Sequence, residues 1–244
     1  MLNQLQEFFL ACIIGLMVHK RETLTKKELA AQEAFMTKLA IKQRMNAKPV
    51  IVGMIGLVGS GKSSVAQELA RQIDGTVIEG DAIRIELRKQ GEQYERARAI
   101  AENAALDVVR QGGNAILDSD FIDAKKRASI REKARKAGVR ITFVCTYCDL
   151  DVQMGRILTA SYRGHVEDFF GGASTKWSGS AQSKGAVVKL REMMRRLPQH
   201  YRWENKVGGR WVIKNPPCKV LADIDTTNPA EWKNEVTKCA KQLQ

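Results

Sequence analysis

The sequence predicts an α/β fold built on a five-stranded parallel sheet with helices on both faces. Short apolar runs alternate along the chain with stretches that repeat apolar residues at helical spacing. The first apolar run, 50–55, passes through a glycine-rich turn into a helix whose apolar stripe is Val65, Leu69 and Ile73. Strands that alternate with helices at this spacing are joined by right-handed crossovers, which make the sheet parallel.

Each predicted strand is an apolar or β-branched run, and the helices lie between the strands. The predicted strands are 50–55, 76–78, 114–117, 140–147 and 220–224, with a hairpin at 207–213. The predicted helices are 64–73, a long stretch that ends near Val109, 123–137, 149–158, one that spans Val187 to Pro198, and a last one capped by Asn228 with Pro229 at its first position. Residues 164–185 are rich in Gly and Ser and are predicted to be mobile.

Residues 1–48 are predicted to form a helical extension before the main domain, 49–244, which carries a lid or insertion at about 160–214. The extension is open to three interpretations: packing on the core, which we favour, self-association, or contact with a membrane surface. Its most apolar run, 8–18, is too short to cross a bilayer, which needs about twenty residues. It also lacks a basic leader, so we expect no transmembrane segment and a cytoplasmic protein.

The charge of the chain favours an anionic partner. The formal net charge is +13, and the segments 121–140 and 184–214 carry eight and nine Lys or Arg residues against two acids each. A solvated helix face explains the first segment equally well. Five irregularly spaced cysteines favour a reducing compartment, and we interpret the Cys145–Cys148 pair as structural because it ends a predicted strand.

The glycine-rich turn, GLVGSGKS at 56–63, fits the pattern GxxxxGK[ST]. Backbone N–H groups of such a loop surround a polyphosphate, and the following helix directs its N-terminal partial charge at the same place. The motif predicts a P-loop NTPase that binds ATP, with Lys62 on the β and γ phosphates and Ser63 on Mg²⁺. A structural turn is the alternative, but it leaves Lys62 unexplained. The expected nucleotide contacts in the loop are Gly56, Gly59, Ser60, Gly61, Lys62, Ser63 and Ser64.

Further charged residues are expected beside the loop. Asp118 ends a short apolar strand, where a carboxylate can hold Mg²⁺ or its waters. Asp81 follows another strand, with Arg84 three residues later on the same helical face, suited to accept a hydroxyl proton and to bind an anion. An N-cap aspartate beside a solvated arginine is an equally good interpretation. Arg156 and Arg163 flank the predicted mobile segment as candidate lid arginines.

GLVGSGKSS, EGDAIR, AILDSD and an arginine-bearing helix before a lid together resemble the P-loop kinases of small acceptors. Within them the chain is similar to the polynucleotide 5′-hydroxyl kinase and zeta-toxin-like group, and also to adenylylsulfate kinases, whose GDxxR and FIDAKKR-like stretches it shares. The resemblance implies that Asp81 is the general base, that Arg84 contacts the acceptor phosphate, and that Asp118 and Asp120 serve the magnesium and acceptor side. It also implies that Thr227 and Asn228 lie near the adenine.

These observations support one leading hypothesis and two alternatives. The leading one is an ATP- and Mg²⁺-dependent kinase that phosphorylates a hydroxyl of an anionic acceptor. The basic insertion favours a nucleotide or nucleic acid as the acceptor, because contacts with phosphates dominate the affinity of proteins for nucleic acids. The first alternative is a kinase of adenylylsulfate or another small metabolite. The second is a non-catalytic ATP-binding regulatory module.

Overall fold

The computed structural model describes residues 23–42, 48–205, 209–216 and 219–244. A five-stranded parallel sheet has the order β2-β3-β1-β4-β7, and a separate antiparallel hairpin pairs β5 with β6. The predicted fold class is therefore confirmed. The strands are β1 Val50–Ile55, β2 Gly75–Glu79, β3 Asn114–Asp118, β4 Arg140–Tyr147, β5 Tyr201–Glu204, β6 Arg210–Ile213 and β7 Ala222–Asp225.

The helices cover both faces of the sheet. They are α1 Lys26–Lys38, α2 Lys62–Ile73, α3 Gly80–Lys89, α4 Ala97–Arg110, α5 Ala124–Lys136, α6 Leu150–Thr159, α7 Ala181–His200 and α8 Trp232–Lys241. Helices α2 and α8 enclose one apolar core, with Leu69 and Val236 fully buried. The larger core on the opposite face receives side chains from α1, α3, α4, α5 and α7.

Strand β1 lies at the centre of the sheet, and this determines where polar groups collect. All six residues of β1 are buried, because β3 and β4 flank it and helices cover both of its faces. Since β1, β2 and β3 are parallel, their carboxyl ends meet at one edge. Asp118 and Glu79 are direct partners across the β2–β3 pair, and the loop at 56–61 leaves β1 beside them.

Two predicted boundaries were wrong near the C-terminal half. Helix α7 begins at Ala181, although its first turns contain serine and glycine that are typical of loops. Ser180 is the N-cap, accepting a bond from the Ser183 N–H at 3.2 Å, and Gly185 is needed because a Cβ there would overlap the Tyr162 ring. The last helix begins at Trp232, later than predicted.

Asn228 closes a separate turn before that last helix. Its Oδ1 accepts a bond from the Ala230 N–H at 3.0 Å, and its Nδ2 donates to Glu231 at 2.6 Å. It is therefore not the N-cap, which is Glu231. The predicted fifth strand is also displaced, since β7 occupies Ala222–Asp225.

Helix α1 packs on the main domain. Phe35 is 5% exposed within the larger core, and the Gln32 side chain accepts a bond from Asn103 of α4 at 3.0 Å. Lys38 reaches Glu86 of α3 at 2.7 Å. The rest of the predicted extension, including the apolar run 8–18, lies outside the described residues. Within the described ranges, none of the helices combines the length and hydrophobicity that a membrane span requires.

Candidate active site

The loop that follows β1 carries its lysine folded back across it. Lys62 is the first residue of α2, and its Nζ donates to the carbonyls of Gly56 at 2.7 Å and Leu57 at 3.1 Å. The ammonium therefore lies over the concave side of the loop, at the N-terminus of a helix. Backbone N–H groups at a helix N-terminus and a lysine beside them form a site for a polyphosphate.

Thr226, directly after β7, braces the loop through a hydrogen bond. Its Oγ1 donates to the Ser60 carbonyl at 3.0 Å, and the residue is 2% exposed. Gly61 has a φ of +82°, and a Cβ there would lie 2.8 Å from Thr226 Oγ1. Glycine is thus required at this position by conformation and by space.

The predicted loop residues divide into groups with different orientations. Ser60 is 3% exposed, and its hydroxyl is 2.8 Å from Thr146 Oγ1, so this side chain faces the sheet. The side chains of Ser63 and Ser64 are exposed at the start of α2. Gly59 lies against Gln153 and Ile157 of α6, within about 3.1 Å of where its Cβ would be. Ser60 can therefore contribute only its backbone, and not its side chain, to the phosphate cradle.

Acidic groups at the strand ends lie beside the loop. Burial raises the pKa of the Asp118 carboxyl, while Lys62 and a hydrogen bond from the Ser63 hydroxyl act in the opposite direction. Partial burial and the nearby carboxylates of Asp118 and Asp81 raise the pKa of Glu79. The Ser63 hydroxyl and the Asp118 carboxylate are thus neighbours, as a magnesium site requires.

Asp81 and Arg84 are paired at the start of α3. Arg84 Nη1 donates to Asp81 Oδ1 at 2.5 Å, and the Asp81 side chain is 46% exposed. Asp81 and Arg84 both influence the pKa of Asp118, which places the pair on the same rim as the loop. The structure therefore brings together Lys62, Ser63, Asp118 and this pair.

The segment 160–180, here called the lid segment, covers this rim with aromatic rings. It contains neither helix nor strand, and Asp168 holds it by accepting backbone N–H bonds from Arg163, Phe170 and Gly171 at 2.6–3.0 Å. The Phe169 ring lies 5.6 Å from the Arg84 guanidinium, and Phe169 meets Phe170 edge-on at 5.1 Å. Mobility of this segment stays a prediction.

A lysine from α7 completes this cluster. The Lys189 ammonium lies 4.9 Å from the centre of the Phe170 ring and 5.2 Å from that of Tyr162. Burial and the charge of Lys62 lower the pKa of Lys189, while Asp81 acts to raise it. Lys189 therefore faces the same cleft as Asp81 and Lys62. We call Arg84, Phe169, Phe170 and Lys189 the aromatic-cation cluster.

The two candidate lid arginines occupy different places. Arg156 of α6 donates to Thr226 Oγ1 at 2.9 Å and to the Thr226 carbonyl at 2.5 Å, so it is bonded to the residue that braces the loop. Arg163 is exposed on the lid segment. Thr227 is the next residue after Thr226, and its Oγ1 accepts the Asp149 N–H at 2.9 Å. Asn228 is exposed beyond it.

Asp120, which by the resemblance serves the magnesium and acceptor side, is hydrogen-bonded to the protein itself. Its Oδ1 accepts N–H bonds from Gly56 at 3.4 Å and Ile122 at 3.1 Å, and its Oδ2 accepts from Arg196 of α7. Both carboxylate oxygens thus have protein partners, and a role of Asp120 toward magnesium or an acceptor stays a prediction.

The donor set fits ATP with Mg²⁺. The loop offers a cradle that a Cβ at Gly61 would disrupt, a lysine at its centre, and a serine hydroxyl beside a carboxylate. Oxygen ligands of this type are those that Mg²⁺ prefers. Lys62 and the loop backbone would hold the phosphates, and Ser63 with Asp118 would hold the metal or its waters.

Sequence reasoning missed several residues of this site. Thr226 and Lys189 carry no local motif, and they reach the site only through the packing of β7 and α7. Phe169 was noticed only as part of a predicted mobile segment. For Glu79, a signal was present, since it is the last residue of a strand that ends next to Asp118.

Comparison with known proteins agrees with this geometry. An AAA domain family model (AAA_33) matches residues 50–166. The adenylyl-sulfate kinase of Bacillus velezensis is 32% identical over 141 residues, which cover 53% of this chain and 69% of that protein. The adenylyl-sulfate kinase of Bacillus pumilus is 30% identical with the same coverage. These relatives favour the adenylylsulfate-kinase side of the resemblance over the polynucleotide-kinase side.

A solved structure shows the same fold. A candidate kinase from Chloroflexus aurantiacus aligns with a TM-score of 0.52 and 16% identity, over 81% of this chain and 99% of that one. At this identity the likeness concerns the fold alone. From the loop, its acidic neighbours and the relatives together, the chain belongs to the family of P-loop kinases that contains these adenylyl-sulfate kinases, and it is a phosphotransferase that uses ATP with Mg²⁺.

Proposed function

We propose that this kinase phosphorylates a hydroxyl of a small anionic acceptor, and that adenylylsulfate is the first acceptor to test. The observation that carries the proposal is the aromatic-cation cluster beside Asp81. Arg84 and Lys189 flank a pair of phenylalanine rings on the rim that faces the loop, and Arg88 lies 5.1 Å from the Phe169 ring as a third cation. Such a surface suits an acceptor with a flat ring and a negative charge. The names of the Bacillus relatives point to the same class of acceptor.

We assign Asp81 as the base that accepts the proton of the acceptor hydroxyl. Its carboxylate is nearly half exposed, so an acceptor in the cleft can reach it. Arg84 Nη1 orients the carboxylate from 2.5 Å, and its remaining N–H groups can bind an acceptor anion. A positioned carboxylate that accepts a hydroxyl proton contributes about 10²–10⁴-fold to rate.

The remaining residues position the nucleotide. Lys62 would orient the outer phosphates, and Ser63 with Asp118 would keep the metal in place. Bound ATP supplies the phosphoryl group. We retain Arg156 and Arg163 as proposed lid contacts: Arg156 because it is bonded to the residue beneath the loop, and Arg163 because it lies on the lid segment.

A second cation reaches the same side from α5. Lys126 approaches the Asp120 carbonyl at 3.5 Å, and burial and the charge of Arg196 lower its pKa. Arg84 lowers it further, which supports a role for Lys126 on the proposed acceptor side of the cleft. A cleft with cations from three helices favours an anionic acceptor over a neutral sugar.

The test is transfer of label from γ-labelled ATP to a panel of adenylylsulfate, nucleotides, an oligonucleotide, transfer RNA and amino sugars. We expect labelled product from adenylylsulfate, and no product from the Lys62→Ala variant. Transfer to the oligonucleotide or transfer RNA alone would replace the small acceptor by a nucleic acid, which the net charge of +13 also suits. ATP binding without transfer to any member of the panel would contradict the proposal and favour a regulatory module.

Lys189 provides a sharper test of the acceptor site. Lys189→Met should raise the KM for the acceptor about tenfold and leave the KM for ATP within a factor of two, since a single cation–acceptor contact contributes on the order of 1.4 kcal/mol. Lys184→Met, on the same helix, is the control. An unchanged acceptor KM in Lys189→Met would remove the cluster from the acceptor site.

A further inference from the structure

Helix α7 lies outside the residues that the family model matches, yet one of its arginines forms an ion pair with a carboxylate that is bonded to the nucleotide loop. The family match ends at residue 166, and α7 spans Ala181–His200. Arg196 pairs with the Asp120 carboxylate, and the two side chains are only 13% and 7% exposed. Glu192, one turn earlier, accepts a second bond from Arg196 Nε at 2.8 Å. The guanidinium is therefore held at two points.

Asp120 transmits this contact to the loop. While its Oδ2 faces Arg196, its Oδ1 accepts the N–H of Gly56, the first residue of the loop, at 3.4 Å. The neighbouring Phe121 N–H donates to the Met54 carbonyl at 3.0 Å, which fastens the same segment to β1. The carboxylate of Asp120 thus connects α7 to the point where the loop leaves the sheet.

The charge of Asp120 would oppose nucleotide binding if it were not neutralised. A buried carboxylate bonded to the loop lies close to where the phosphates of ATP carry several negative charges, and repulsion is weakly screened in a buried environment. The guanidinium of Arg196 cancels this charge. Removal of one partner of a buried pair leaves the other charge uncompensated, which has a larger effect than replacement of both.

We propose that Arg196 is a positioning residue for the nucleotide loop: through Asp120 it holds Gly56 in place and removes a negative charge from the phosphate site. Helix α7, beyond the matched family region, is accordingly required for ATP binding. The inference depends on the use of ATP and not on the identity of the acceptor, so failure of the acceptor proposal leaves it standing.

A double-mutant cycle on Arg196 and Asp120 tests the inference, with the Kd for Mg²⁺-ATP and the free energy of unfolding in urea as readouts. Arg196→Met should raise the Kd at least tenfold, because Asp120 is then an unpaired charge. Asp120→Asn combined with Arg196→Met should return the Kd to within about threefold of the unmodified chain. The amide is neutral, and its oxygen can still accept the Gly56 N–H.

Arg195→Met is the matched control. Arg195 is the next residue, bonds to the same Glu192 at 2.8 Å, and is 57% exposed, so its loss removes equal charge without touching Asp120. We expect its Kd to be unchanged. A wild-type Kd in Arg196→Met, or a loss that the double variant does not recover, overturns the proposal. A merely structural pair would lower the unfolding free energy and leave the Kd unaffected.

Arg196→Lys decides the matter if Arg196→Met does not fold. Lysine keeps the positive charge but cannot contact Asp120 and Glu192 together as the guanidinium does. The expected Kd is about three times that of the unmodified chain, the same residual loss as in the double variant, which also lacks the two-point contact. A Kd equal to the unmodified one would show that the two-point contact does not position the loop, and the proposal would fail.

Discussion

Replacement of Gly61 by alanine tests whether Thr226 holds the nucleotide loop rigidly. Gly61 has a φ of +82°, where a side chain costs about 1–2 kcal/mol. The new Cβ would lie 2.8 Å from Thr226 Oγ1, so the threonine must move. Movement breaks the one bond that its hydroxyl donates, which is shared between the carbonyls of Ser60 and Tyr147, and the bond that it accepts from Arg156; each of the two contributes about 1 kcal/mol. The total is about 3–4 kcal/mol.

The cost should appear in two measurements. The urea unfolding free energy of Gly61→Ala should fall by the full amount if the loop keeps its shape. If the loop instead shifts to relieve the contact, the Kd for Mg²⁺-ATP should rise by an equivalent factor, tenfold for each 1.4 kcal/mol.

Gly91→Ala is the matched control, because Gly91 has a φ of +71° and nothing within 4 Å of an added Cβ. This variant should lose only the backbone cost of about 1–2 kcal/mol. If Gly61→Ala is no less stable than Gly91→Ala and binds Mg²⁺-ATP normally, the reasoning about Thr226 is refuted.

Two buried groups, Glu102 and Cys145, and the proposed base Asp81 provide three further tests. Glu102 is 0% exposed and accepts bonds from three side chains of α4 and α5, so Glu102→Gln should lower the urea unfolding free energy by about 3 kcal/mol. The exposed control Glu132→Gln should change this free energy by less than about 0.5 kcal/mol, and equal effects of the two substitutions would contradict the prediction. Burial raises the pKa of Cys145 to about 12, so its thiolate is scarce at pH 8. Its alkylation, followed by peptide mass spectrometry, should be slow at pH 8 and should keep rising with pH above the range where a free cysteine levels off; labelling at pH 8 at the rate of free cysteine would disprove this. Asp81→Asn keeps an acceptor for Arg84 but cannot take a proton, so kcat should fall about 10²–10⁴-fold with KM for ATP nearly unchanged, and an unaltered kcat in steady-state assays would exclude Asp81 as the base.

The strands and the nucleotide loop were predictable because their signals are local. An apolar run such as 50–55 predicts a buried strand without information from the rest of the chain. Likewise, GLVGSGKS specifies a backbone conformation and a lysine within eight residues. Asp118 and Asp81 were found for a related reason, since parallel strands bring their carboxyl ends to one edge whatever the connections between them.

Helix α7 was only partly predictable, because the same residue types have more than one use. Serine and glycine before Val187 are typical of a loop, but Ser180 caps the helix and Gly185 makes room for Tyr162. The cap at Asn228 failed in the opposite sense, since a residue that favours caps closes a turn instead.

The parallel sheet, the phosphate loop and the acidic edge follow from local patterns, since each depends on residues that are neighbours in the chain or at the end of a strand. Long-range packing, by contrast, pairs Arg196 with Asp120, directs Lys189 toward the cleft and sets Thr226 against the loop. Arg196 and Asp120 are 76 residues apart. Their contact depends on how α7 packs against the sheet, and the free energy of that packing is spread over many side chains, none of which identifies the pair.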